Sequence, residues 1–126
     1  MGLTYANLKL TNLFNQASIE VNALIDCGAT FMYIPESATA QLGFDTTEVS
    51  QQLVTLANGH QVKVPKVAPV KIEYANRSYV TEALVMGDEA LMGVLPLEAM
   101  DLVIHPGTQT LSVNPEHPNF PVALAK

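Results

Sequence analysis

The chain has 126 residues, of which 48% are hydrophobic, and this length has room for one domain with a core of ordinary size. Twelve acidic and six basic side chains give a formal net charge of -6, a sign that opposes binding to the backbone of a nucleic acid. No apolar run is long enough to span a bilayer, the first residues lack a secretion signal, and the single cysteine excludes an internal disulfide. We therefore expect a soluble, cytoplasmic protein with no nucleic-acid or membrane partner.

Alternation of apolar and polar residues dominates the first part of the chain. Leu8 and Leu10 alternate with polar neighbours, as do the apolar residues of 19–23, and a polar stretch at 15–18 separates the two runs. A period of two is typical of strands with one buried face. The pattern predicts two antiparallel strands, the second of which leads to Asp26.

An acidic turn follows the second of these strands. Asp26 closes the apolar stretch 21–25 and is followed at once by Cys27-Gly28-Ala29-Thr30. A carboxylate at the end of a buried strand is costly unless neighbouring donors satisfy it, and a glycine lets backbone amides approach it closely. We therefore interpret Asp26 as one half of a catalytic pair of carboxylates.

A short strand, a helix and a hairpin are predicted next. Residues 31–34 form the strand, and a helix over 36–42 follows, with Pro35 at its start and Gly43 at its end. Two further apolar runs then flank Asn58-Gly59, the dipeptide that most readily supplies the two positive φ angles of a type I′ turn. This dipeptide predicts a long hairpin with a polar, flexible tip.

The second half of the chain is expected to add another hairpin, from 67–74 to 79–86, and a final strand at 111–113. Between them lies an apolar segment, 90–97, that contains Gly93. A glycine in such a segment indicates that another backbone approaches closely. The proline-rich tail after residue 113 cannot be a central strand, because proline lacks the donor that a sheet requires.

In order and spacing these elements resemble a single-domain aspartic protease of the retroviral (retropepsin-like) type, of the small kind found in bacteria. The turn from Asp26 to Thr30 is similar to the family pattern Asp-Thr/Ser-Gly-Ala/Ser/Thr, and Asn58-Gly59-His60 lies where the family has its flap hairpin. Leu91-Met92-Gly93 matches the hydrophobic-hydrophobic-Gly element that crosses behind the active-site loop and supports it.

The resemblance implies an all-β fold, a closed acid-protease-like β-barrel of hairpins with one or two short helices and one lobe per chain. It implies a single domain over residues 1–126, with a core of about 4–113 and a proline-rich C-terminal tail at 114–126. The implied activity is that of an aspartic endopeptidase.

This chemistry needs two carboxyl groups that share one proton, because like charges so close together cannot both ionise. Asp45 follows a helix stop, Asp88 lies in a Gly-Asp-Glu turn, and Asp101 lacks a glycine-bearing loop. The second carboxylate is therefore expected from Asp26 of another copy, across a two-fold axis. The expected partners are a second subunit and an extended peptide or protein substrate.

Neither a metal nor a cofactor is expected. The three histidines have no mutual spacing typical of a metal site. The sequence also contains no phosphate-binding glycine loop, dinucleotide fingerprint or Gly-x-Ser-x-Gly elbow.

Cys27 departs from the family pattern. The family's hydroxyl at this position bonds to the partner's loop and braces both carboxylates, whereas a thiol is larger and a weaker donor. One alternative is therefore a catalytically weakened or inactive protease-fold dimer that binds peptides or serves as an assembly module. Another is a β-barrel with no ligand. Two facing Cys27 side chains would also form an intersubunit disulfide under oxidation if their Cα atoms come within bridging range.

Overall fold

The structure is a computed structural model that describes residues 2–125; Met1 and Lys126, which belong to the predicted domain, lie outside the described residues. The strands are β1 (Thr4–Asn12), β2 (Ser18–Ile25), β3 (Met32–Ile34), β4 (Gln51–Thr55), β5 (Gln61–Tyr74), β6 (Arg77–Val85), β7 (Leu91–Met92), β8 (Leu102–His105) and β9 (Thr110–Val113). The helices are α1 (Glu36–Gln41) and α2 (Val94–Ala99).

Six strands close into a barrel. Their order is β1-β2-β7-β3-β6-β5, and β5 pairs back with β1, while β4 extends the sheet beyond β5. Closure removes the free edges that an open sheet would expose. The predicted closed all-β barrel with short helices is confirmed.

The first hairpin follows the alternating sequence pattern. In the antiparallel pairing of β1 with β2, Thr4 lies opposite Ile25 and Thr11 opposite Ser18. This register turns every second residue of β1 into the barrel, where Leu8 is buried. The same hairpin delivers the end of β2 to the rim of the barrel.

Apolar side chains from most of the elements fill the barrel. Burying one such side chain contributes about 1.5–3 kcal/mol relative to leaving it exposed, so this interior fixes the positions of the polar loops at the rim. The largest fully buried side chains include Leu8, Leu10, Met32, Ile34, Leu42, Ile72, Met92 and Met100.

The Asn58-Gly59 hairpin joins β4 to β5, as predicted, but the predicted turn type is wrong. A type I′ turn needs positive φ at both residues, and of the two only Gly59 has it, at 86°. The loop is closed by the N–H of Gly59 on the carbonyl of Leu56 at 2.9 Å and by the N–H of Leu56 on the carbonyl of His60 at 2.7 Å. The side chain of Asn58 accepts the N–H of His60 at 3.0 Å and so stabilises the alternative turn.

Strand β5 is long because it serves two parts of the fold. Its first residues pair with β4, and its later residues pair with β6 and β1. It turns into β6 through Ala75 and Asn76, since Tyr74 already pairs with Arg77. The loop is therefore shorter than the predicted 75–78.

The last two strands form a small sheet of their own. Strand β9 contains the predicted strand 111–113, whereas β8 was not predicted. Leu102 of β8 lies opposite Val113 of β9. The chain after β9 has no strand within the described residues, in agreement with its prolines.

The tail is nevertheless fixed to the rest of its own chain. The side chain of Asn76 donates to the carbonyl of Pro118 at 3.0 Å, and the buried guanidinium of Arg77 donates to the carbonyl of His117. The N–H of Val122 donates to the carboxylate of Asp101 at 3.1 Å.

No helix in residues 2–125 is both long and apolar enough to cross a membrane.

Candidate active site

Asp26 lies immediately after β2 at the rim of the barrel. Its N–H donates to the carbonyl of Met92 at 3.0 Å, which continues the parallel pairing of Ile25 with Met92. Its carboxylate accepts the N–H of Gly28 at 2.8 Å. The barrel thus holds the backbone of Asp26, and the turn that follows orients its half-buried carboxylate.

The predicted loop 26–30 forms one tight turn. The N–H of Ala29 donates to the carbonyl of Asp26 at 3.2 Å. Cys27 is a free thiol and is exposed, as is the side chain of Thr30. The turn therefore presents both a carboxylate and a thiol at the surface; the intersubunit disulfide stays a prediction.

The predicted support element packs directly behind this turn. Gly93 donates to the carbonyl of Phe31 at 2.8 Å, and the next two residues donate to the carbonyls of Ala29 at 2.9 Å and Thr30 at 3.0 Å. A Cβ on Gly93 would lie 2.6–2.7 Å from atoms of these three residues. The backbone approach expected from the sequence is therefore present, and only glycine fits it.

Leu91 and Met92 precede this glycine as strand β7. Met92 is fully buried and pairs with Met32 on one side and with Ile25 on the other. Leu91 is half-buried and faces a cleft. The two residues therefore differ in what they contact, although the sequence assigned them one supporting role.

The cleft has a volume of about 610 Å³ and lies beside the acidic turn. One wall is formed by 28–31 and Tyr33, the opposite wall by 52–57 of β4 and the loop after it, and the end by 86–89. Most of the lining side chains are apolar. Such a cleft suits a ligand with hydrophobic groups.

The predicted flap residues Asn58, Gly59 and His60 lie at the exposed tip of the hairpin, next to the cleft wall and not in it. The wall itself comes from residues 52–57, in β4 and the start of the loop that follows it. Of the three apolar residues that the resemblance suggests as pocket walls, Ile34, Leu56 and Val94, only Leu56 lines the cleft. The side chain of Ile34 is fully buried in the core.

Sequence reasoning missed the end wall. Met86 was predicted as the end of a strand and 87–89 only as a turn, yet all four residues line the cleft. The available signal was a pair of carboxylates directly before the apolar segment that contains Gly93. The hydroxyl of Tyr5 donates to Glu89 at 3.3 Å. The pKa of Tyr5 is raised by its partial desolvation and, next, by the negative charge of Glu89.

Asp26 and Cys27 line a second cavity, of about 520 Å³, together with Leu3, Thr4 and Ile104. Asp26 does not line the larger cleft, whose lining includes Gly28, two positions later in the same turn. The acidic turn therefore borders both spaces, with Asp26 and Cys27 lining this cavity and Gly28, Ala29 and Thr30 lining the cleft.

Other aspartates are engaged elsewhere. Asp45 accepts the hydroxyl of Thr47 at 2.6 Å and its N–H at 2.9 Å, and these bonds lower the pKa of Asp45. The pKa of Asp101 is lowered first by the hydrogen bond from Asn114 and then by that from the N–H of Val122. Neither aspartate lines the cleft. Residues 2–125 contain no group of three or more His, Cys, Asp or Glu side chains arranged to hold a metal.

Comparison with known proteins agrees with this geometry. Residues 13–112 match a family model described as aspartyl protease. No curated protein sequence matches the chain. A retropepsin-like aspartic protease from Rickettsia conorii shares 20% identity and a TM-score of 0.61, over 77% of this chain and 71% of that one. EIAV protease, solved in complex with the inhibitor HBY-793, shares 18% identity and a TM-score of 0.61, over 77% of this chain and 86% of that one. At these identities the two structures show a common fold.

Proposed function

Because the chain belongs to the retropepsin-like aspartyl proteases, we propose that it is an aspartic endopeptidase that acts as a homodimer, with one Asp26 per subunit. The observation that carries the proposal is the placement of Asp26. Its carboxylate is oriented by the N–H of Gly28 at 2.8 Å, and Gly28 itself lines a cleft large enough for a peptide.

A second copy is needed because one chain supplies half of the chemistry. Asp45 and Asp101 are hydrogen-bonded to neighbours outside the cleft. Asp88 and Glu89 do line the cleft, but within the described residues neither carboxylate accepts a backbone N–H of the kind that orients Asp26. A two-fold axis beside the acidic turn would bring two Asp26 carboxyls together and join two clefts into one continuous groove. The exposed Cys27 thiols would then lie near the same axis.

In the proposed reaction the two Asp26 carboxyls share one proton. The ionised carboxylate takes a proton from a water molecule, whose oxygen attacks the peptide carbonyl carbon. The protonated carboxyl donates to the carbonyl oxygen. As the tetrahedral intermediate collapses, the C–N bond breaks and the leaving nitrogen receives the proton that the first carboxylate took from water. A hydroxyl proton of the intermediate returns to the second carboxylate, which restores the shared proton.

The substrate is proposed to bind as an added strand. β4 is the last strand in the order of the sheet, so one of its edges is free for hydrogen bonds to a peptide backbone. Alternate peptide side chains would enter the apolar walls near Leu53 and Leu91. Movement of the tip at Asn58, Gly59 and His60 over the bound peptide would exclude bulk water.

The test compares peptide cleavage by the wild-type chain with cleavage by Asp26→Asn. We expect turnover to fall by about a thousandfold or more, since the variant lacks the ionisable pair, with an unchanged dimer in sedimentation. An excess of about tenfold of Asp26→Asn, added before dissociation and reassociation, should draw wild-type subunits into mixed dimers and lower turnover about tenfold. If turnover by the wild-type chain does not change when Asp26→Asn is in excess, the wild-type chain is active as a monomer, and this result contradicts the proposal.

A second candidate function is favoured by Cys27, whose thiol is exposed in place of the hydroxyl of the family pattern. If bracing between subunits is too weak for catalysis, the same dimer would act as a peptide-binding or assembly module. The discriminating result is peptide affinity that survives Asp26→Asn, together with no cleavage by either chain.

A further inference from the structure

Two carboxylates line the end of the cleft, in the loop that joins β6 to β7. Asp88 and Glu89 are both exposed there. Within the described part of the chain, the residues that line this cleft include no lysine, arginine or histidine. A cleft with apolar walls and charge of one sign concentrates its field on whatever enters it.

The loop is anchored at both ends, so the carboxylates have a defined place. The N–H of Met86 donates to the carbonyl of Ile34 at 3.0 Å, and the carbonyl of Ala90 accepts the N–H of Leu24 at 2.9 Å. The hydroxyl of Tyr5 contacts the carboxylate of Glu89 at 3.3 Å. Tyr5 itself lies on β1 opposite Leu24, which ties Glu89 to the barrel.

The strand register gives the spacing from the acidic turn. β2 and β7 are parallel, with Ile25 beside Met92, so Gly93 lies beside Asp26. Glu89 precedes Gly93 by four positions, which sets an upper limit of roughly 13 Å, the length of a fully extended chain, and the bends at 87–89 shorten this distance. A substrate strand has the same rise per residue. The carboxylates therefore lie within reach of side chains up to about four residues from the scissile bond.

The geometry points to a preference of this cleft for peptides with a lysine or arginine within about four residues of the scissile bond, and Asp88 and Glu89 determine that specificity. The inference rests on the proposed function. The aliphatic stem of the basic residue would pack on the apolar wall near Leu91 and Tyr33, and its charged head would contact the two carboxylates.

The experiment is a scan with one peptide frame in which lysine, glutamine or glutamate replaces each residue in turn on both sides of the scissile bond. We expect lysine to raise kcat/KM over glutamine by about three- to fivefold at one or more positions, the upper part of the range expected for exposed charge pairs. Glutamate at the same position should lower it. The lysine-to-glutamine ratio should shrink as salt rises from about 50 to 500 mM.

The double variant Asp88→Asn/Glu89→Gln should bring the ratio to within about twofold of one. The matched control is Glu48→Gln/Glu98→Gln, which changes net charge equally at exposed residues that do not line the cleft. It should keep the wild-type ratio. A control that loses the ratio as fully as the cleft variant would overturn the inference, because net charge alone would then explain it.

Peptide binding to Asp26→Asn separates this inference from the proposed function. Cleavage without any lysine preference overturns the inference and leaves the proposed hydrolysis in place. Lysine-selective binding by Asp26→Asn, with no cleavage by the wild-type chain, supports the inference for a binding module and contradicts hydrolysis. Absence of both binding and cleavage contradicts both.

Discussion

The N–H of Gly93 donates to the carbonyl oxygen of Phe31 at 2.8 Å, across the back of the acidic turn. A side chain on Gly93 would enter the space occupied by this backbone, with its Cβ 2.6 Å from that oxygen. We therefore expect Gly93→Ala to lower the free energy of unfolding by about 2 kcal/mol, as overpacking of a tight site does. Urea denaturation measures this change.

The control for this change is Gly107→Ala. Gly107 lies in the turn between β8 and β9, where an added Cβ meets nothing within 4 Å. The free energy of unfolding of Gly107→Ala should stay within about 0.5 kcal/mol of the wild-type value. Equal losses at Gly93 and Gly107 would show that the close approach behind the acidic turn is unimportant.

Replacement of Cys27 by threonine should raise peptide turnover. Threonine restores the hydroxyl of the family pattern, and one additional hydrogen bond across the subunits is worth about 0.5–1.5 kcal/mol, or a gain of roughly two- to tenfold. The matched control is Cys27→Val, which has the shape of threonine without its hydroxyl. If valine raises kcat as much as threonine does, the gain comes from side-chain shape and not from a hydrogen bond.

Local sequence patterns were sufficient for the acidic turn and the first hairpin, because both depend on neighbours in sequence. At Gly93 the local pattern indicated only a close backbone approach, and the resemblance supplied its partner, the acidic turn. Tertiary contacts were not predictable in the same way. The Met86 to Glu89 wall depends on the contact of Ala90 with Leu24, which are far apart in the chain.

The turn type of the Asn58-Gly59 hairpin was wrong for a related reason. The dipeptide is compatible with more than one loop length, and the pairing of Thr55 with Gln61 selects the longer one. Strand β8 was missed because its half-buried residues show no alternation, and its pairing with β9 is what makes it a strand. In both cases pairing with a neighbouring strand determines the local structure, and the pattern of one sequence segment does not contain that information.

Attachment of the C-terminal tail should depend on pH through Asp101. Hydrogen bonds from Asn114 and from the N–H of Val122 lower the pKa of Asp101 below its ordinary value of 3.8. A lowered pKa in the folded state means that the ionised form stabilises the attachment. This stabilisation is complete at pH values above 3.8 and is lost as the pH falls through the lower pKa of the folded state.

Protection of the Val122 amide from hydrogen exchange measures this attachment. We expect protection to decline in the acid range for wild type, and to be several-fold weaker at neutral pH in Asp101→Asn, since a neutral amide is a poorer acceptor than a carboxylate. Asp45→Asn is the control, because the hydrogen bonds of Asp45 are to Thr47, at a distance from the tail. Wild-type protection that does not change down to about pH 2, below the usual range for Asp, would contradict the role of Asp101.

Substitutions at Gly59 test whether the backbone conformation at the tip of the Asn58-Gly59 hairpin affects substrate binding. Gly59 has a φ of 86°, and an added Cβ would meet nothing within 4 Å, so a substitution there acts through backbone conformation alone. Asparagine adopts a positive φ at a much lower energetic cost than a β-branched residue does. Gly59→Val should therefore raise KM by about five- to thirtyfold, as a cost of about 1–2 kcal/mol implies, and Gly59→Asn by less than about twofold. Because both variants fill the same open space, equal KM values for them would mean that the conformation of the tip does not affect peptide binding.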